Sequence, residues 1–135
     1  MSQREVNAIA GRLSLRKPQT DSLQALSRAI EASPLVLKHD RDGAELADAL
    51  KVLQGQFGTL KDFERDFPSL CFALATGVGK TRLMGAFISY LYAAHGIKHF
   101  FVLAPNLTIY DKLIGDFTPN TPKYVFKGIA EFAAY

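Results

Sequence analysis

A run of strand length, Ser69-Leu70-Cys71-Phe72-Ala73-Leu74-Ala75, passes directly into Thr76-Gly77-Val78-Gly79-Lys80-Thr81 and then into a helical pattern over residues 80–95. This junction constrains the chain more than any other feature. The apolar run does not alternate polar with apolar residues, so it reads as a strand buried on both faces. Two closely spaced glycines permit a tight backbone turn, and Gly96 is a natural stop for the helix that follows. A second unbroken run, Phe100-Phe101-Val102-Leu103-Ala104, ends at Pro105. Strand, helix and strand in this order predict a parallel crossover unit, and with it an α/β fold built on a parallel sheet.

The helix inside the crossover carries Leu83, Met84, Phe87, Ile88, Leu91 and Tyr92 together with Ala86, Tyr90 and Ala94. It is apolar nearly all round, which predicts burial on more than one side. A further helix is expected from Leu107 to Phe117, and Lys123-Tyr124-Val125-Phe126-Lys127 reads as the next strand. Upstream, Thr20 or Asp21 can cap a helix in which Leu23, Leu26, Ala29 and Ile30 recur at helical spacing before Ser33-Pro34 ends it. Another begins after Gly43, with Leu46, Ala49, Leu50 and Leu53 on one face and Gly55 and Gly58 closing it. The chain therefore divides into a helical segment, 1–66, and an α/β portion, 67–135. Two or three parallel strands leave edges and faces uncovered, which leads us to expect an incomplete lobe, the first part of a longer protein.

Composition matters for what it excludes. With 48% hydrophobic and 21% charged residues the chain is that of a globular domain, not a disordered one. A net charge of +3 is too small to argue for a nucleic-acid partner by itself. The single cysteine, Cys71, lies in an apolar run and is expected to pack as a small hydrophobe, in a reducing compartment. The N-terminus lacks the pattern of a secretory signal, and His95, Gly96, Lys98 and His99 interrupt the most apolar region. Cytoplasmic residence without a membrane partner is the expectation.

The chemistry is concentrated in the glycine loop. Backbone N–H groups near Gly77, Val78 and Gly79 can converge on phosphate oxygens while the following helix presents its partially positive end. Lys80 adds a full positive charge, and the Thr81 hydroxyl is suited to Mg²⁺ on a nucleoside triphosphate such as ATP. Thr76 and Arg82 flank the loop and complete the candidate cofactor-binding set. Lys80 and Thr81 are the candidates for catalysis. The general phosphate-loop pattern places its first glycine five residues before the second, at a position that is Leu74 here.

Three stretches together carry a resemblance to a known family. They are Leu15-Arg16-Lys17-Pro18-Gln19, Phe72-Ala73-Leu74-Ala75-Thr76-Gly77-Val78-Gly79-Lys80-Thr81-Arg82 and Phe101-Val102-Leu103-Ala104-Pro105-Asn106-Leu107. The chain resembles superfamily 2 helicases, in particular the restriction subunit of type III restriction enzymes, which commonly replace that first glycine. The resemblance implies a P-loop NTPase fold, here a partial RecA-like lobe with a parallel sheet preceded by a short helical segment. It also implies an ATP-dependent helicase or translocase that acts on double-stranded DNA, beside a modification methyltransferase subunit. Gln19 takes the place of the family's adenine-recognising glutamine, and a side-chain amide has the donor and acceptor for that task. Pro105, Asn106, Leu107 and Thr108 match the segment that grips a nucleic-acid backbone, although Pro-Asn can equally cap a helix. An RNA or repair helicase, or a non-catalytic nucleotide-binding module, fits the same residues.

Other family features have no counterpart. No hydrophobic strand ends in paired acidic residues, and no nuclease signature is present, so the chain alone is not expected to hydrolyse ATP efficiently. His39, His95 and His99 lack metal-ligand spacing. Phe87, Tyr90, Tyr92, Phe100 and Phe101 are expected in the core, and the run from Lys61 to Asp66 on a solvated helix face or loop.

Overall fold

The structure, a computed structural model, describes residues 2–38, 42–75 and 77–118. Five α-helices occur among them: α1 (Ser2–Arg12), α2 (Lys17–Ala32), α3 (Gly43–Gln56), α4 (Lys80–His95) and α5 (Leu107–Phe117), with a 3-10 turn at Pro34–Leu37. Local chemistry accounts for three of their boundaries. Asp42 caps α3 by accepting from the Glu45 amide at 2.8 Å, and Asn106 caps α5 by accepting from the Ile109 amide at 3.0 Å. Gly96, at φ +68°, ends α4 in the left-handed region. Its amide returns to the Tyr92 carbonyl and that of Ile97 to the Leu91 carbonyl, which satisfies two carbonyls of the last turn.

The expected α/β fold, a P-loop NTPase (RecA-like) partial lobe with a parallel sheet, is overturned: the described residues form helices and no strand. Both apolar runs, Ser69–Ala75 and Phe100–Ala104, lie outside the helices and join no ladder. Phe101 is 88% exposed and Leu103 76%, so the second run is not the buried strand its composition predicts. Cys71 is exposed as well, not packed as a small hydrophobe. The physical reason is that apolarity disposes a segment to leave water but does not supply the neighbouring backbone that completes a strand's hydrogen bonds. The third expected strand, 123–127, lies outside the described residues.

The chain divides into two compact units. In one, made of residues up to Leu23 and from Leu74 onward, α1 packs against α4. Val6 and Ile9, one face of α1, are buried together with Leu13 just beyond it, and α4 buries Leu83, Gly85, Ala86, Ser89 and Tyr90. Helix α1 went unread in the sequence, although Val6, Ile9 and Leu13 stand at helical spacing. The other unit, Gln24–Ala73, has its core at Ala29, Ala49, Leu53 and Phe63. Leu35, Val36, Leu46 and Leu50 pack around that core, and the charged run from Lys61 to Asp66 is irregular, with Phe63 alone turned inward.

Candidate functional site

The first turn of α4 is the site's frame. A helix start leaves amides without carbonyl partners inside the helix, and here those of Lys80, Thr81 and Arg82 fall in that class, while the Leu83 amide already donates to the Gly79 carbonyl at 3.1 Å. Gly79 is the N-cap residue at φ +85°, ψ 57°, and supplies no side chain to cover those amides. Gly77 is also left-handed, at φ +84°. Two left-handed glycines let the chain turn sharply into the helix, and a helix start without a side-chain cap is suited to an anion.

Gln19, near the start of α2, is 2% exposed and fastens this loop. Its Nε2 donates to the Gly79 carbonyl at 2.9 Å, and its Oε1 accepts from the Arg16 amide at 2.8 Å. One side chain thereby ties the beginning of α2 to the cap of α4. Arg16 adds a longer contact, its Nη2 donating to the Gly77 carbonyl at 3.5 Å. Arg82 turns the other way and donates to the Leu13 carbonyl at 2.9 Å, which joins the first turn of α4 to the end of α1.

Lys80 is exposed at the first position of α4. Thr81 is half-buried, and its Oγ1 accepts from Lys112 Nζ on α5 at 3.2 Å. The same ammonium lies 3.7 Å from Oδ2 of Asp116, whose side chain is only 8% exposed. Amides, an ammonium group and a hydroxyl converging on one helix end form a donor set that fits a polyphosphate, with one hard oxygen suited to the Mg²⁺ it carries.

The family model described as type III restriction enzyme, res subunit, matches residues 12–133. The chain belongs to that family. No curated protein and no solved structure matches it at a significant level. The span matched to the res subunit takes in Gln19, the glycine loop and the segment after the second apolar run.

In this res-subunit chain the structure brings Gln19, Gly77, Gly79 and Arg16 into one hydrogen-bonded group, with Lys80 and Thr81 at its edge. Thr76 lies outside the described residues, and Val78 is half-buried in the loop. Pro105, Asn106, Leu107 and Thr108 are all exposed at the start of α5, where Asn106 has the capping contact that its alternative reading anticipated. His95 meets the buried Tyr90 hydroxyl at 3.2 Å, a packing role. Arg16 and Lys112 were missed by sequence reasoning. Arg16 stands within the Leu15–Gln19 stretch and could have been singled out there, whereas nothing local marks Lys112.

Proposed function

We propose that the chain is the ATP-binding part of an ATP-dependent translocase of a type III restriction enzyme, acting along double-stranded DNA. The observation that carries this reading is the uncapped start of α4, with left-handed glycines at 77 and 79 and with Lys80 and Thr81 in its first turn. Membership of the restriction-subunit family supports it.

In this reading the amides of residues 80–82 and the Lys80 ammonium hold phosphate oxygens, and Gln19 keeps the loop in the conformation that aims those amides. Thr81 offers its hydroxyl oxygen to Mg²⁺. Bound there with the nucleotide, the metal would offset phosphate charge. Gln19 recognises adenine through the amide hydrogen and oxygen lone pair that its contacts with Gly79 and Arg16 leave over. Arg82 positions the first turn from behind through its contact with the end of α1. Pro105, Asn106, Leu107 and Thr108 offer a second exposed helix start, suited to a nucleic-acid phosphate. A methyltransferase partner and cytoplasmic residence belong to the same proposal; among the described residues no helix is long and apolar enough to cross a membrane.

Lys80→Ala is the direct test. Nucleotide affinity measured with a fluorescent ATP analogue is expected to fall at least about tenfold, since a charged contact to phosphate contributes roughly 1.5–3 kcal/mol. Unchanged binding would refute the site. Stimulation of ATP turnover by duplex DNA, set against RNA, then separates a restriction translocase from an RNA helicase.

A further inference from the structure

The Thr81 hydroxyl already has a cation. Lys112 Nζ donates to Thr81 Oγ1 at 3.2 Å, and the carboxylate of Asp116, one turn along α5, lies 3.7 Å from the same ammonium. Lys112 therefore stands between two oxygens, one on α4 and one on its own helix. Its side chain is 60% exposed, on a long flexible stem that can move from one oxygen to the other without repacking a core. The Asp116 side chain is nearly buried and provides the second partner.

We propose that Lys112 is a placeholder cation, occupying the metal-binding oxygen of Thr81 until Mg²⁺-nucleotide arrives, and then withdrawing to Asp116. The inference rests on the phosphate-site reading above and assigns that site a metal-dependent gate. The electrostatics require a choice. A divalent ion on the Thr81 oxygen would meet the ammonium at close range, and like charges that share one small ligand repel. Without metal the ammonium is an asset, because it adds positive charge beside the position of the phosphates. Lys112 thus lowers the site's dependence on metal, favouring metal-free nucleotide and opposing the metal-bound form until it moves. Asp116 sets how readily it moves.

The test is a titration of the full chain with a fluorescent ATP analogue, in Mg²⁺ and separately in EDTA, for the wild type, Lys112→Met and Asp116→Asn. Lys112→Met keeps the length of the stem and removes the charge. It is expected to bind more tightly in Mg²⁺ and more weakly in EDTA, widening the ratio of the two affinities by about fivefold or more, the factor expected for one unit charge at close range in a solvated setting. Asp116→Asn leaves the ammonium without its retreat and is expected to raise the Mg²⁺ concentration needed for half-maximal binding by several-fold. Circular dichroism of each variant reports whether the helices are intact. A ratio unchanged in Lys112→Met overturns the gate. So does weaker binding in both conditions, which would make Lys112 an ordinary phosphate contact. A wild type that binds in neither condition removes the phosphate site itself and the gate with it, whereas a wild type sensitive to Lys80→Ala but with a ratio indifferent to Lys112→Met refutes the gate alone.

Discussion

Gln19 holds the loop with its side-chain amide, and the proposed adenine contact would draw on the hydrogen and lone pair that this leaves over. Its buried Nε2 and Oε1 are already engaged by the Gly79 carbonyl and the Arg16 amide. Removing the side chain leaves the half-buried Gly79 carbonyl with one partner fewer, a change that costs on the order of 1–3 kcal/mol where water cannot substitute. Gln19→Ala is therefore expected to weaken binding of ATP and GTP alike by loosening the loop, and in addition to narrow the preference for ATP. Measuring both affinities separates the duties. Loss of affinity with an intact preference would confine Gln19 to holding the loop, and the adenine role would be abandoned. Spacing in the sequence places Gln19 at a motif position, but the contact with Gly79, sixty residues away, depends on how the backbone folds.

Helix α4 is bounded by two left-handed glycines that serve different purposes. At Gly96, φ +68°, an added Cβ would meet nothing within 4 Å, so Gly96→Ala is expected to cost only the backbone penalty of about 1–2 kcal/mol, read as a lowered midpoint of thermal or denaturant unfolding. Nucleotide affinity should be unchanged. At Gly79, φ +85°, the Cβ would lie 2.4 Å from Gln19 Nε2, so Gly79→Ala adds a clash to the same backbone penalty and displaces the side chain that anchors the loop. Binding is expected to be lost even where the fold survives. Equal effects of the two substitutions on binding would mean that the start of α4 has no special part in it. The boundaries of α4 and α5 were legible in the sequence because caps and stops act within a few residues, whereas α3 takes in Gly43 and runs through Gly55 to Gln56. Gly96 and Asn106 stand where the pattern puts them and make the contacts expected of such residues, whereas the cap at Asp42 was not read in advance. The start of α2 was misplaced: it begins at Lys17, ahead of Thr20 and Asp21.

For the molecule as a whole, far-UV circular dichroism is expected to show the double minimum of helix with little strand contribution, and a strand-dominated spectrum would overturn the architecture described. What the sequence determined by itself was the set of features that depend on near neighbours: the ends of α4 and α5, the closely spaced glycines before α4 and the membership that those motifs carry. What the tertiary structure decided was whether the apolar runs become strands, and which distant side chains meet at the start of α4. A strand requires another backbone alongside to take up its hydrogen bonds, and neither Phe101 nor Leu103 is covered in the manner their composition anticipated. The contacts of Gln19 with Gly79 and of Lys112 with Thr81 likewise join residues far apart in the chain. Short-range propensities can be read from a list of residues, whereas contacts between distant segments exist only once the chain has closed on itself, because no local pattern fixes which polar atom will face which.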